Sequence, residues 1–228
     1  TLPVEGFASA FGEWPRLDVP GRSHPVRVEY RPPRARERME EGAARLALEA
    51  MESFTGEPGG VLVFLPGFRE IHRAADILAG RPGTHVGVEV LHGSLSPEEQ
   101  RRVVRNSGDA ATRIVLSTNV AESSLTIDGI RAVVDAGFVR RVRFSPRTGM
   151  GHWETVRVSN ASAVQRAGRA GRLGPGLCLR WWAGDEPLVP FSPPEILEAD
   201  LAPVYLETAA WGAATPLDLA WMTPPPEA

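Results

Sequence analysis

The chain has 228 residues, 43% of them hydrophobic, and a formal net charge of −3. That composition fits a globular protein and excludes a uniformly basic nucleic-acid coat. All 25 cationic side chains are arginine, so no phosphate-binding Gly-Lys-Ser/Thr loop can be present; if ATP is used, the loop that holds it lies elsewhere.

No apolar run approaches the roughly 20 residues a membrane-spanning helix needs, and neither a signal peptide nor membrane association is expected. One cysteine, Cys178, cannot form an internal disulfide, which suits a reducing, cytoplasmic compartment. It sits in an apolar stretch and reads as a core residue. The histidines (His24, His72, His85, His92 and His152) are scattered, and no metal ligand set is assigned. The chain begins at Thr1, and an excised or partial chain is the expectation.

In chain order, residues 1–35 are rich in proline, glycine and arginine and read as a connecting segment, with one strand-like run at Val26–Tyr30. Residues 36–54 carry Leu46, Ala47, Ala50, Met51 and Phe54 at helical spacing. Residues 61–65 form a continuous apolar run, as in a strand buried on both faces. A helix over 69–79 turns Ile71, Ala75 and Leu78 inward, and a second strand covers 86–91. Ser96-Pro97-Glu98-Glu99 then opens a helix: serine at the N-cap, proline at the first position, glutamate three residues after the cap. Strands follow at 113–116 and 131–135. This alternation predicts βαβ units, a parallel sheet and right-handed crossovers.

Two strand-like runs at 138–144 and 152–158 predict an inserted β-hairpin that exposes Arg141 and Arg143. It is either an ordinary solvated hairpin or an element that guides or separates strands. A further strand covers 177–181, a proline-rich break 187–194 and an apolar-striped helix 195–211, before a tail at 215–228.

Two segments carry chemistry. The first is Gln165-Arg166-Ala167-Gly168-Arg169-Ala170-Gly171-Arg172. As a helix it places Gln165, Arg169 and Arg172 at i, i+4 and i+7 on one face, with Arg166 off it. Two interior glycines cost about 1 kcal/mol each relative to alanine, which implies that something approaches this backbone closely. Guanidinium forks suit phosphate oxygens, so the segment reads as a phosphate clamp; the alternative is a solvated basic face. The second is the loop 117–129, which follows the third strand and is rich in hydroxyl side chains. Ligands in open α/β sheets bind beyond the carboxyl ends of strands, and such a loop suits phosphates or sugar hydroxyls, although serine and threonine also favour plain turns.

In their order these segments resemble the second RecA-like lobe of DEAH-box helicases, the bacterial HrpB group in particular. Leu62-Val63-Phe64-Leu65-Pro66-Gly67 resembles motif IV, Leu91-His92-Gly93-Ser94-Leu95-Ser96 the segment called IVa, residues 118–129 motif V and residues 165–172 motif VI. Thr1-Leu2 resembles the end of motif III, Gly21 to Val26 the linker after the first lobe, and Pro194-Glu195-Ile196-Leu197 the entry to a winged helix. The resemblance covers essentially the whole chain and implies three parts: a linker at 1–35, the α/β RecA-like lobe with its hairpin at 36–187, and the truncated start of a winged-helix region at 188–228.

The resemblance also implies roles. Arg169 and Arg172 would reach the γ-phosphate of ATP, held with Mg mainly by the absent first lobe, with Arg172 as the arginine finger. Gln165 would help place the phosphate or the attacking water. Thr126 and Asp128 would face the ribose, and Ser124 would sense the nucleotide state. Thr118, Asn119, Gly93 and Ser94 would hold the backbone of single-stranded nucleic acid, RNA rather than DNA. Phosphate and sugar contacts grip without reading sequence. Val104 departs from the pattern, since eukaryotic relatives carry an adenine-stacking aromatic near this position. The function implied is an ATP-dependent helicase lobe, inactive by itself. The rival readings are a non-catalytic nucleic-acid-binding module and a lobe that regulates another NTPase.

Overall fold

The structure is a computed structural model that describes residues 4–12, 14–15, 17, 23–54, 59–81, 86–105, 112–123 and 125–226. Ser124, His85, Arg22 and the Thr1-Leu2 pair lie outside the described residues. The chain divides into two compact units, one built from Arg22–Arg140 with Thr155–Ser192, the other from Thr1–Gly21, Arg141–Glu154 and Pro193–Ala228.

In the first unit the strands are β1 (Val26–Tyr30), β2 (Gly60–Phe64), β3 (Gly87–Leu91), β4 (Arg113–Ser117), β5 (Ile130–Asp135) and, after the hairpin strands β6 (Phe138–Ser145) and β7 (Met150–Arg157), β8 (Gly176–Arg180). Six of them form one sheet in the order β1-β8-β5-β2-β4-β3, and every pair is parallel. The four inner strands are the apolar ones; β2 and β4 are buried along their whole length, as expected when helices cover both faces.

Alternation along each strand divides the core in two. Val61 and Val63 point to the face covered by α2 (Met39–Glu52) and α3 (Phe68–Ala79), where Leu46, Ile71, Ile114, Val134 and Leu179 pack with them. Leu62 and Phe64 point to the other face, with Val115, Val133, Ala167 and Cys178. Cys178 is fully buried. In the register of the sheet it lies between Val28 of β1 and Val133 of β5. Burial, and after it the charge of Asp135, pushes its thiol pKa up to about 12. On this second face, α4 (Pro97–Val104) begins with the expected capping box, in which Ser96 Oγ accepts from the Glu99 amide at 3.3 Å while the Ser96 amide donates to Glu99 at 2.8 Å.

Three expectations are revised. Val26–Tyr30 belongs to the sheet as its edge strand, so the lobe takes in residues assigned above to the linker. No residue of β1 is buried, as suits an edge strand. A helix α1 (Val4–Phe11) also lies within the presumed linker. Finally, the helix expected over 195–211 is broken: a 3₁₀ turn at Glu195–Leu197 is followed by α7 (Ala202–Ala210). Pro203 is the cause, because it has no amide to donate and tolerates only the first turn of a helix; Asp200 Oδ1 accepts from the Ala202 amide at 3.0 Å at that start.

β6 and β7 pair as the expected hairpin. In the second unit Arg141 bonds both Glu154 and Glu198 at 2.9 Å, so Arg141 is committed internally, while Arg143 is exposed.

Candidate functional site

The arginine-rich segment is only partly helical. Ser159 Oγ caps α6 (Asn160–Gly168) by accepting from the Ser162 amide at 3.2 Å. After Gly168 the chain tightens into a 3₁₀ turn at Arg169–Gly171, so Gln165, Arg169 and Arg172 do not share one continuous helical face. The close approach predicted from the glycines is made by the chain itself. A Cβ on Gly171 would stand 2.5 Å from the His24 carbonyl oxygen, whereas Gly168 faces open space.

Arg169 is buried and folds onto the loop after β4. Its Nε donates to the Glu122 carbonyl at 3.0 Å and one terminal nitrogen to the Leu125 carbonyl at 2.6 Å; the other terminal nitrogen also reaches Glu122 O. Burial, and after it the neighbouring Arg172, lowers its pKa, with Glu122 opposing. Arg172 is exposed and donates to Thr126 Oγ1. Arg169 and Arg172 line one small cavity with Leu62, Ala121, Leu125, Ile127 and Ile130. Among the described residues neither guanidinium forms an ion pair. The result is a cationic spot braced by carbonyls, with a hydroxyl at its edge. Gln165 is half-buried and engaged. Asp128 is exposed, and its amide donates to the Val104 carbonyl at 3.1 Å. Val104 packs into the second core and offers no ring.

Arg166 is the group that the sequence reading placed to one side, and it sits at the centre of a buried network. It is 1% exposed. Its Nε donates to Glu122 Oε2 at 2.9 Å and one terminal nitrogen donates to Asp135 Oδ1 at 2.8 Å and to the Phe138 carbonyl at 3.3 Å. Its guanidinium carbon lies 4.9 Å from the Phe64 ring centroid. Burial works against this cation, but Asp135 and Glu122 outweigh it and raise the pKa. Glu122 is the junction: its carboxylate also accepts from Ser162 Oγ at 2.6 Å, and its carbonyl holds Arg169. A signal was available, since Ala163, Arg166, Ala167 and Ala170 stand at i, i+3, i+4 and i+7 and are all buried.

The proposed backbone-holding residues gather elsewhere. β3 and β4 end side by side, with Leu91 opposite Ser117, and the Thr118 amide donates to the Leu91 carbonyl at 3.2 Å. Gly93, Ser94 and Asn119 are exposed and Thr118 is half-buried. His92 Nδ1 accepts from the Ser94 amide at 3.2 Å and shapes the turn. These four residues lie at the carboxyl ends of the strands. The loop then runs to the amino end of β5, because the strands it joins are parallel, and carries Thr126 and Asp128 with it. The candidate residues therefore fall into two clusters, one at the carboxyl ends of β3 and β4 and the other just before the amino end of β5.

The parallel sheet thus carries an arginine pair without a carboxylate partner among the described residues, and a separate cluster of exposed loop residues at the carboxyl ends of β3 and β4. Residues 45–174 match the family described as the helicase conserved C-terminal domain, and the chain belongs to that family, as a C-terminal RecA-like lobe of the DEAH-box type. It is similar to the ATP-dependent RNA helicase HrpB of Escherichia coli, with 41% identity over 228 residues, 99% of this chain and 28% of that protein. It is 37% identical to the pre-mRNA-splicing factor ATP-dependent RNA helicase prp22 of Schizosaccharomyces pombe, over 99% of this chain and 20% of that protein. The crystal structure of the Escherichia coli DEAH/RHA helicase HrpB matches with a TM-score of 0.88 at 41% identity, over 100% of this chain and 29% of that one. The chain spans less than a third of the length of these relatives.

Proposed function

We propose that the complete protein is a cytoplasmic, ATP-dependent RNA helicase in which this lobe supplies the arginine contacts to ATP and part of the grip on single-stranded RNA. The observation that carries this reading is the Arg169–Arg172 pair beside Thr126, cationic and without a carboxylate partner among the described residues. A polyphosphate fits such a site, since it supplies the missing negative charge. ATP, which with Mg would be held mainly by the other lobe, would supply the phosphoryl group transferred to water, with ADP as the leaving group. Arg172, exposed and tethered only to a hydroxyl, stabilises the charge that builds on that group. Arg169 keeps the loop in place beneath it and adds positive potential. Gln165 orients the phosphate or the water, Thr126 and Asp128 meet the ribose, and Ser124 senses the nucleotide. Thr118, Asn119, Gly93 and Ser94 hold the strand through phosphate and sugar. Residues 188–228 begin a winged-helix region.

The test is Arg172→Ala in the complete protein. A transition-state contact predicts a fall in kcat of about 10³-fold or more, with KM for ATP little changed. A loss confined to KM would make Arg172 a ground-state binding residue and remove its proposed role.

A further inference from the structure

Beside the proposed grip stands an aromatic group that the roles above do not use. Phe68 opens α3 directly after Leu65-Pro66-Gly67, at the carboxyl end of β2. The helix buries Ile71, Ala74 and Leu78, but the Phe68 side chain remains 54% exposed. It is nevertheless fixed. Its ring centroid lies 4.0 Å from that of His72, at 50°, and 5.2 Å from that of His92, at 82° and edge-on. His92 belongs to both features, since its Nδ1 accepts from the Ser94 amide in the turn assigned to backbone holding. β4 lies between β2 and β3 in the sheet, so Phe68, the 118–119 corner and the 93–94 turn occupy the carboxyl ends of three neighbouring strands.

An exposed, preorganised ring beside the Ser94 and Thr118 hydroxyls and the Asn119 side-chain amide is what a single nucleic-acid strand requires. The amide and hydroxyls meet phosphate and sugar, and the ring offers a face to a base. Because two imidazoles already hold the ring, little rotamer freedom remains to be lost on binding. We propose that Phe68 is a stacking platform for one nucleobase of the strand whose backbone is held at Gly93, Ser94, Thr118 and Asn119. The proposal rests on the nucleic-acid reading given above. Stacking uses the π-face that all bases share, so it adds affinity without sequence preference.

The experiment uses the complete protein and fluorescence anisotropy with single-stranded RNA oligonucleotides of unrelated sequence, beside an abasic strand of equal length. Phe68→Ala is expected to weaken binding about tenfold on every base-bearing strand and to match the parent on the abasic strand. Phe68→Leu, apolar but without a ring, is expected to remain weak, and Phe68→Trp to restore binding. Parent-like binding by Phe68→Leu, no change in Phe68→Ala, or an equal loss on the abasic strand would each overturn the proposal. Thr118→Ala with Asn119→Ala separates the two readings. If that variant weakens binding on both kinds of strand while Phe68→Ala does not, only the stacking proposal falls. If neither variant changes binding, the grip itself falls.

Discussion

Arg166 and Arg169 lie within one turn of each other and use the same guanidinium for different ends. Arg169 donates to neutral carbonyls, which leaves its charge uncancelled. Arg166 is enclosed by Glu122 and Asp135 and is fully buried. Judged only by its place off the clamp face, Arg166 should tolerate replacement better than Arg172. Burial reverses that for folding. Arg166→Ala would leave two carboxylates without their cation, a kind of loss that costs about 3–5 kcal/mol. Urea unfolding of the purified chain measures it, and a change below about 1 kcal/mol would show that the network does not hold the fold. The sequence made the residue types of the site legible, because guanidinium groups, hydroxyls and small residues in that order leave few other chemistries. It concealed which arginine faces inward, since partners as distant as Glu122 and Asp135 appear only once the sheet has formed.

At the level of elements, the strands β2, β4 and β5 could be read from sequence because burial on both faces demands continuous apolar runs. β1 was legible as a strand over 26–30, but its place in the sheet was not, since a single short run does not say which strand it pairs with. The arginine segment kept its helical propensity in sequence, yet α6 stops at Gly168, where the chain must bend to meet β1. There the His24 amide donates to the Gly171 carbonyl at 2.8 Å, and a Cβ on Gly171 would also lie 2.8 Å from Val26 Cγ2. Gly171→Ala should therefore cost about 1–3 kcal/mol by overpacking and speed amide exchange along β1. Gly168→Ala, in open space at helical φ −57°, should be neutral or stabilise by up to about 1 kcal/mol. Equal effects at the two glycines would refute the close-packed junction.

For the molecule as a whole, the sheet sets the geometry: strand ends fix where loops emerge, and the segment 118–129 must traverse from one end to the other. This separation of the two residue clusters was not legible in sequence, where Asn119 and Thr126 look like neighbours in one loop. The same fold also isolates the one thiol of the chain. Cys178 lies on β8 and points into the second core, its pKa pushed up to about 12, and only the thiolate attacks an alkylating reagent. Alkylation at neutral pH must therefore wait for the second core to open. Under native conditions iodoacetamide labelling of the chain should be slow, and in a urea series its rate should rise with the unfolded fraction. Rapid labelling without denaturant would mean that the cover of the second face opens while the rest stays folded. The buried thiol thus serves as a built-in clock for the opening of that core.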